Sequence, residues 1–568
     1  MVTEQNNSAT KTRKSRDITQ YLVLTGLIIL LNFLSGFYFY RYDLTEDKRY
    51  TMAPATRRLL QNLPQPVHVD VYLAGEFPTG FKRLQAAVRE TLEELRIYSS
   101  NFSYSFIDPS AGTDLKKRNQ LYTNLALKGI QPTNLFAMEG DKKVEKLVFP
   151  GAIVTAAGKE EPVMLLKGNQ AASPDERLNQ SIEGLEFELA SAIRKLASTN
   201  RKRIGLVDGH GELNNLEAAD FITSLQKYYD VYRVDLNKVP SLQSLSALIV
   251  ARPVRPFREV EKYKLDQFIM QGGKALFFLD AINVALDSIR PQGYFALPYN
   301  LNLDDLLFKY GVRVNANLVQ DINSGQIPVV TGRYGNQPQT QLMNWRYFPL
   351  INTFSQHPLT RNLDAVYGKF LSTMDSVRVK SIRKTPLLFT SRYTKILAPP
   401  ITVSLNEARV NIKPSLYNKG PQAVGYLLEG NFPSLFTNRP LPAGLPANTS
   451  PGVTTGKPTT IIVFSDGDLI RNEVNPKNNQ PYELGYDRFM RTRFANKDLV
   501  MNAVEYLLDE SGLINVRSKQ ITLRPLDRIR IKEERQRWQI LNLVGPLILL
   551  VFFGIGKYYR RQRKYARL

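Results

Sequence analysis

Two acidic turns hold the side chains best suited to chemistry. Each follows an apolar, strand-like run, and their polar members are Asp208, His210 and Glu212 in the first turn and Asp466 and Asp468 in the second. In a doubly wound sheet, both turns would lie at the carboxyl edge, where ligands bind at a topological switch point. Carboxylates around one imidazole could hold a divalent cation or poise a general base. The sequence therefore indicates a ligand-binding or partner-binding site formed by these five residues.

The same turns also suit a structural role. Their glycines can make tight turns, and the acidic side chains can cap the helices that follow. In that case, replacing His210 and Glu212 together with Ala should cost no more than ~1 to 2 kcal/mol of stability, through lost capping and turn bonds. The sequence leaves the structural, binding and catalytic interpretations open.

Other recognisable catalytic motifs are absent from the sequence. The chain has no cysteine, which excludes disulfides, thiolate nucleophiles, zinc ribbons and iron-sulfur centres, and its three histidines are too scattered for a metal cluster. The segment GVTTGKP at 452–458 lacks one residue of a phosphate-binding loop and has Pro where Ser or Thr must hold Mg²⁺. G-x-S-x-G and H-E-x-x-H do not occur. We therefore expect no enzyme, no catalytic residue, no metal site and no cofactor, and any ATP hydrolysis would come from a partner.

Alternating strands and helices must position the two turns. A first unit is predicted from strands at 67–75 and 102–110, a hairpin near Lys159, and helices at 81–95 and 182–196. The second unit has strands at 203–207, 231–236, 247–253, 274–281 and 459–468 and helices at 221–229, 257–270 and 497–508. This alternation predicts an α/β protein whose second sheet is open, largely parallel and doubly wound. Between 315 and 458 the pattern weakens, and the Pro-rich 433–458 predicts exposed loops without a core.

Two uncharged runs flank these units. Residues 18–40 would form a helix of ~35 Å and residues 539–556 one of ~27 Å, which neighbouring Trp and Tyr residues can extend at a membrane interface. The first run is too long for a cleaved signal peptide. We predict two transmembrane helices, and the alternative for the second is a buried core helix.

Small and polar residues inside these runs predict helix packing. Asn542 lies one turn before the adjacent Gly545 and Pro546, and the proline frees a backbone carbonyl near Asn542. Asn32 and Gly36 are four residues apart and share one face of the first helix. We expect these five residues to pack the helices, either against each other or against a partner permease.

Charge hardly decides the orientation of the two helices. Lys and Arg number four in 1–17 against five in 41–58, and six in 557–568 against six in 524–538. A short basic tail is harder to translocate than a long domain, so we predict cytoplasmic termini and a large periplasmic domain. The absence of cysteine suits an exported domain.

A formal net charge of +23 favours anionic partners. Residues 41–538 carry +15 of this charge. In the predicted topology they would not meet nucleic acid, but they could contact an anionic envelope polymer such as peptidoglycan or lipopolysaccharide. The 28 tyrosines and 28 phenylalanines could stack on sugars, or could serve as strand and core residues.

Several segments together carry a resemblance to a known family. They are RYDLTEDKRYTMAPAT, YLAGEFPTGFKRLQAAVRETLEEL with FSYSFIDPS, RIGLVDGHGEL, GYLLEGNFPSLFTNR at 425–439, and RIRIKEERQRWQILNLVGP. In this combination and order the chain, from about residue 17 onward, resembles the GldG family of gliding-motility-associated ABC transporter subunits of Bacteroidetes. The resemblance implies a substrate-binding-type auxiliary subunit that works with a separate permease and a separate ATPase. It also implies a middle domain similar to one in intraflagellar transport proteins and to glutamine-amidotransferase-like sheets, with no established chemistry for the GHGE turn.

The residues and the resemblance together predict a non-catalytic auxiliary subunit of an inner-membrane ABC transporter required for gliding motility. Two alternatives stay open: an envelope-anchored hydrolase or cation-binding enzyme using the turns 208–212 and 466–468, and a structural scaffold between envelope complexes. The predicted segments are a cytoplasmic tail 1–17, a transmembrane helix 18–40, periplasmic α/β domains 41–200 and 201–523, a charged juxtamembrane helix 524–538, a transmembrane helix 539–556 and a cytoplasmic tail 557–568.

Overall fold

The chain divides into two compact units, Met1–Lys519 and Gln520–Leu568. The structure is a computed structural model, and the residues that it describes are 18–33, 43, 51–111, 114–139, 142–167, 173–198, 201–290, 292–335, 337–445, 452–518 and 528–565.

The N-terminal part of the larger unit is built around a four-stranded sheet. Its elements are α1 (Ile18–Phe33), α2 (Pro54–Gln61), β1 (Val67–Val71), α3 (Thr79–Ile97), β2 (Phe102–Phe106), α4 (Leu115–Leu127), β3 (Thr133–Glu139), β4 (Lys142–Val148), β5 (Gly151–Ala156), β6 (Lys159–Met164) and α5 (Pro174–Ala197). The sheet order is β2-β1-β5-β6, with β1 and β2 parallel and the other pairs antiparallel. Helix α3 buries Phe81, Leu84 and Val88 at helical spacing in the core of this sheet.

The C-terminal part of the larger unit contains the remaining strands and helices α6 to α9. They are β7 (Arg203–Asp208), α6 (Ala219–Gln226), β8 (Asp230–Asp235), β9 (Ala247–Ala251), α7 (Glu259–Met270), β10 (Lys274–Phe278), β11 (Ile282–Asn283), β12 (Tyr294–Pro298), α8 (Asp304–Tyr310), β13 (Val312–Val314), β14 (Leu318–Asp321), β15 (Ser324–Tyr334), β16 (Gln337–Ile351), β17 (Thr353–Phe354), β18 (Val366–Tyr367), β19 (Met374–Ser376), β20 (Ile382–Phe389), β21 (Thr394–Leu397), β22 (Ile401–Val403), β23 (Ala423–Pro433), β24 (Thr455–Phe464), β25 (Tyr486–Asp487), β26 (Thr492–Arg493) and α9 (Asn496–Leu508).

An eight-stranded sheet organises this part, in the order β17-β20-β23-β24-β10-β9-β7-β8. Strands β24, β10, β9, β7 and β8 are parallel, whereas β17, β20 and β23 extend the sheet in antiparallel pairing. Strands β9 and β10, in the middle of the parallel part, are nearly continuous apolar runs because helices cover both faces. Helices α6 and α9 contribute to the core on one face, and α7 and α8 to the core on the other. The parallel part is therefore doubly wound.

A separate aromatic core lies among the short antiparallel sheets between β11 and β22. Trp345 and Tyr347 on β16 are fully buried, and the Trp345 ring centroid lies 4.8 Å from that of Phe348. The Trp345 indole N–H donates to the Ser404 carbonyl over 3.2 Å. This core supports the long β15–β16 hairpin, whose strands have 11 and 15 residues.

Two apolar helices lie near the ends of the chain. In the smaller unit, α10 (Arg528–Tyr565) contains Lys532–Arg563, which is long and apolar enough to cross a membrane and is not buried against other described residues. Helix α1 is apolar but shorter, and the predicted continuation of this first span at 34–40 lies outside the described residues. One membrane-length helix is therefore described, and the two-span architecture stays a prediction.

The mixed α/β class is confirmed. The sequence pattern weakens after residue 315 and gave no strand assignments for 318–403, where the structure has β14 to β22 and the aromatic core. These strands are mostly short and change sheet often, so no alternation lasts long enough to be recognised in the sequence. The described residues of 433–458 are mainly the loop between β23 and β24.

Candidate functional site

The first acidic turn lies at the topological switch point of the eight-stranded sheet. Numbered along the chain, the five parallel strands have the order 2-1-3-4-5, so the direction of winding reverses between β7 and β9. The turn after β7 contains His210 and Glu212, and the segment after β9 begins at Arg252. Ligands of doubly wound proteins bind in the crevice that opens at this point.

Backbone geometry requires both glycines of this turn. Gly209 and Gly211 have φ values of +116° and +75°, a region that side chains with a Cβ rarely adopt. A Cβ on Gly211 would also lie 2.5 Å from a methyl carbon of Val254. The turn is held against the segment after β9, because the backbone N–H groups of Val254 and Arg255 both donate to the His210 carbonyl over 2.9 Å.

Two carboxylates clamp the His210 imidazole, and the three side chains are named here the His210 clamp. Nδ1 lies 3.0 Å from Oε1 of Glu212, and Nε2 lies 3.0 Å from Oε2 of Glu261 on α7. The ring stacks on Phe257 with a centroid distance of 3.7 Å and an interplanar angle of 9°. His210 is 3% exposed and Glu261 is 2% exposed. The chain's own side chains therefore fill this part of the switch-point crevice.

The clamp favours a protonated histidine. Burial alone would lower the pKa of His210, but hydrogen bonds and charge attraction from Glu212 and Glu261 outweigh it and raise that pKa above its usual value. For Glu261, burial alone would raise the pKa, but the hydrogen bonds from His210 and from the Arg258 N–H outweigh burial and lower that pKa below its usual value. With both ring nitrogens engaged, His210 presents no open lone pair to a metal ion or to a substrate proton.

The second turn forms a separate cluster with residues that follow β9 and β10. Arg252 Nε lies 2.7 Å from Asp280 Oδ2 and 3.4 Å from Asp468 Oδ1. Asp466 is fully buried and accepts hydrogen bonds from the backbone N–H groups of Lys369 and Asp468, over 2.8 Å and 2.7 Å. Asp280 accepts another from the Gly467 N–H over 2.6 Å. We call Arg252, Asp280, Asp466 and Asp468 the Arg252 cluster.

Three carboxylates near one guanidinium change the acidity of this cluster. Burial raises the pKa of Asp466 well above its usual range, and the neighbouring charges of Asp468 and Asp280 raise it further. Burial also raises the pKa of Asp280, although Arg252 opposes this effect. Burial therefore favours the neutral form of Asp466, and the cluster resembles a buried structural network more than an open anionic site.

The structure brings the five sequence-predicted residues to one sheet edge, but into different environments. Asp208 is exposed, and its carboxylate accepts a hydrogen bond from the N–H of Gly209 over 3.1 Å. The two clusters are joined indirectly, because Arg471 pairs with Asp468 at 3.5 Å and with Glu217, just beyond the first turn, at 3.0 Å. Within the part of the chain that the structure describes, no group of three or more His, Asp or Glu side chains is arranged to hold a metal ion. Whether any of the five binds a ligand or partner stays a prediction.

Sequence reasoning missed three residues of these clusters. Arg252 and Asp280 follow β9 and β10, so the rule that placed Asp208 and Asp466 at the carboxyl edge also applies to them. Glu261 was harder to find, because its contact with His210 depends on the rotation of α7 about its own axis. Three large cavities lined by described residues, of about 740, 910 and 540 Å³, have none of the five predicted residues in their walls.

The residues predicted to pack the membrane helices are only partly described. Asn542 and Pro546 are exposed on α10, and no heavy atom outside the helix backbone lies within 4 Å of a Cβ placed on Gly545. Pro546 lies inside the helix and has no N–H to donate to the Asn542 carbonyl one turn earlier. Asn32 lies on α1, and Gly36 lies outside the described residues.

Comparisons with known proteins address the chain as a whole. Residues 201–503, more than half of the chain, match the family described as "ABC-type uncharacterized transport system", and residues 46–155 match a domain of unknown function. The chain is 20% identical to an "Uncharacterized protein" of Borreliella burgdorferi, over 95% of this chain and 98% of that relative. Among solved structures, the "mmIFT52 N-terminal domain" is similar over 54% of this chain and 99% of its own length, with 12% identity and a TM-score of 0.30. A similarity this low supports no conclusion about fold or function.

Proposed function

The chain belongs to the ABC-type uncharacterized transport system family, and from this membership we propose that it is a non-catalytic auxiliary subunit of a membrane-bound ABC transporter. The family match over residues 201–503 is the observation that carries the proposal. An ABC transport system implies a permease and an ATPase, and this chain has no Walker A motif of its own. The membrane-length helix Lys532–Arg563 supports a place at the membrane.

The geometry at the switch point supports a non-catalytic role over the hydrolase alternative. A general base needs a lone pair within reach of a substrate proton, and both nitrogens of His210 are engaged by carboxylates. The Arg252 cluster is buried and internally paired. We therefore assign both clusters to holding the loops at the carboxyl edge, where a partner subunit could dock.

The finer proposal combines the resemblance with the apolar runs. We propose a GldG-type subunit that acts in gliding motility, has two spans and cytoplasmic termini in the inner membrane, and places its bulk in the periplasm. The seven-segment division, the glutamine-amidotransferase-like sheet and contact with an anionic envelope polymer belong to this finer proposal. A structural scaffold between envelope complexes remains the competing proposal.

A reporter fusion tests the topology. Alkaline phosphatase inserted after Asn478, in an exposed turn of the larger unit, should be active, because the enzyme matures only outside the cytoplasm. The same reporter fused after Leu568 should be inactive, and a cytoplasm-specific reporter at both sites should give the reverse pattern. Phosphatase activity at Leu568 alone would invert the proposed orientation.

Copurification tests the assignment to a transporter complex. The full chain extracted in detergent should carry an ATPase and a multispan permease, identified by mass spectrometry. Replacing Asn542 and Asn32 with Leu should preserve membrane insertion, because Leu is more favourable in hydrocarbon, but should lower permease recovery roughly three- to tenfold through lost interhelical hydrogen bonds. Gln539→Leu, at the edge of the same apolar run, is the matched control and should leave recovery unchanged. Equal recovery from all variants would mean that the spans are simple tethers, and absence of both partners would contradict the transporter proposal.

A further inference from the structure

The net charge of the described larger unit is concentrated in one stretch of chain. Residues 322–428 contain 13 Lys and Arg against three Asp and Glu, a formal charge of +10. The rest of 51–518 contains 42 Lys and Arg against 41 Asp and Glu and is almost neutral. A charge excess spread over a whole surface is commonly just solvated, but an excess confined to one region creates a strong local field.

Few of these cations are neutralised by ion pairs. Within the described residues, three of the 13 pair with a carboxylate: Arg361 with Glu183, Lys369 with Glu473, and Arg383 with Glu429. Of the three acidic residues in the stretch, Asp375 is held by Arg313 from outside it, Glu407 accepts hydrogen bonds from Gln320 and Tyr347, and Asp364 accepts one from the Ala365 N–H. The positive charge of this stretch is therefore largely uncompensated.

Apolar side chains are exposed among the cations. Residues 409–416, with the sequence RVNIKPSL, are all exposed and contain no acidic residue. Val410 is 59% exposed, Leu416 51% and Ile412 39%. Tyr417, which follows, is buried, and its hydroxyl group hydrogen-bonds the Gln320 side chain over 3.3 Å. The segment is thus displayed on a fixed support, which lowers the entropy cost of binding.

Hydrogen bonds connect this segment to the neighbouring strands β15, β16 and β21. Arg409 donates to the Val330 carbonyl on β15, and Arg346 on β16 donates to the Val410 carbonyl over 3.2 Å. At the other end, the Lys419 N–H donates to the Thr394 carbonyl on β21 over 3.0 Å. Arg392 and Tyr393, just before β21, are exposed. We call the exposed residues of β15–β16, 392–393 and 409–419 the basic face.

We propose that the basic face binds the surface of an anionic lipid bilayer. Lys and Arg are attracted to acidic headgroups, and apolar side chains placed between them can enter the boundary between headgroups and acyl chains. A soluble polyanion would satisfy the cations but would leave Val410, Ile412 and Leu416 in water. The inference rests on the proposal that the chain is a membrane subunit, because its membrane-length helix would anchor the protein in the bilayer that the basic face binds.

A fluorescent probe on the basic face tests this inference. The chain has no cysteine, so Ser415→Cys, at an exposed position of the segment, can be labelled alone in the full chain. The labelled protein is placed in nanodiscs of neutral lipid with or without phosphatidylglycerol, and brominated acyl chains report insertion by quenching. We expect quenching and a blue shift of the dye only with the acidic lipid, and weakening of both with rising salt concentration.

Matched variants distinguish an effect of the basic face from an effect of the protein's total charge. Replacing Arg392, Lys413 and Lys419 with Glu should lower the equilibrium constant for binding acidic lipid roughly 100-fold or more, because each cation near an acidic surface is worth about fivefold in that constant. Replacing Val410, Ile412 and Leu416 with Ser should abolish acyl-chain quenching. Replacing Lys82, Lys116 and Lys117, exposed cations outside 322–428, with Glu should change neither signal.

Three outcomes would overturn the inference. The first is absence of acyl-chain quenching with acidic lipid, and the second is an equal loss of signal in the Lys82, Lys116 and Lys117 variant. The third is a dye response to soluble polyphosphate, or to an acidic protein in neutral nanodiscs, that exceeds the response to acidic lipid. Recovery of the ATPase and permease from the same preparations is measured separately, so a failure of the transporter proposal is distinguishable from a failure of lipid binding.

Discussion

Replacing Glu261 with Ala is expected to lower the free energy of unfolding by about 3 to 5 kcal/mol at pH 6, the range for removing one partner of a buried ion pair. Glu261 accepts hydrogen bonds from His210 Nε2 over 3.0 Å and from the Arg258 N–H over 2.6 Å, and it is 2% exposed. The substitution therefore leaves a buried imidazolium with only Glu212 and removes a cap from the first turn of α7. Thermal unfolding of the detergent-solubilised chain, followed by circular dichroism, measures the loss.

The size of this stability loss should depend on pH. His210 and Glu261 each determine whether it grows or shrinks as the pH changes. The pKa of His210 is raised, so its contribution is fully present below the unfolded value of about 6.5 and is lost as the pH rises through the higher folded value. The pKa of Glu261 is lowered, so its contribution is present above about 4.3 and is lost as the pH falls through the lower folded value. The difference between wild type and variant should be largest between these limits and smaller at pH 9.

Glu93→Ala provides the control, because Glu93 is an exposed glutamate on α3. We expect it to change stability by less than about 0.5 kcal/mol at every pH. If Glu261→Ala were equally mild at every pH, the charged pair between His210 and Glu261 would not stabilise the fold, and the catalytic interpretation of the first turn would regain support.

The sequence was sufficient to predict much of the sheet edge. Apolar runs ending at Val207 and Phe464 identified two parallel strands, and their shared edge placed Asp208 and Asp466 on the same side of the sheet. The depth of burial was not predictable from these runs. The double substitution of His210 and Glu212 with Ala, expected from sequence to cost ~1 to 2 kcal/mol, should cost more, because both side chains are buried in a charged network.

Contacts between distant elements account for most of what the sequence could not predict. The pairing of His210 with Glu261 spans 51 positions and requires α7 to present that residue to the first turn. The aromatic core around Trp345 is built from short strands that belong to several small sheets, so local periodicity in the sequence is a weak guide to it. Clustering of basic residues in 322–428 is visible in the sequence, but their exposure beside Val410 and Leu416 is not.

The Arg252 cluster allows a second large effect to be predicted. Arg252 is 9% exposed and has a φ of +58°, an uncommon conformation for a residue with a Cβ. Its N–H donates to the Phe278 carbonyl over 2.9 Å, and its side chain supplies the cation that Asp280 and Asp468 share. Position 252 therefore combines a strained backbone with the charge that makes burial of the neighbouring carboxylates tolerable.

Arg252→Met should consequently cost about 3 to 5 kcal/mol of unfolding free energy at pH 7.5, because two buried carboxylates lose their shared cation while the packing volume is nearly kept. The double variant Arg252→Met with Asp280→Asn should cost less, since Asn keeps an oxygen for the Gly467 N–H and removes one unpaired charge. Arg255→Met, three residues further along in an exposed position, is the matched control and should stay within about 0.5 kcal/mol of wild type.

Lowering the pH should reduce the cost of Arg252→Met. Burial already raises the pKa of Asp280 against the opposing charge of Arg252, so loss of that charge must raise it further. Lowering the pH from 7.5 to 5 should therefore shift Asp280 of the variant toward its protonated form, which needs no cation, and should bring the variant closer to wild type in thermal unfolding. A cost below about 1 kcal/mol at pH 7.5, or one that is the same at both pH values, would mean that water or an ion reaches these carboxylates. The cluster would then have to be reconsidered as a ligand site at the carboxyl edge of the sheet.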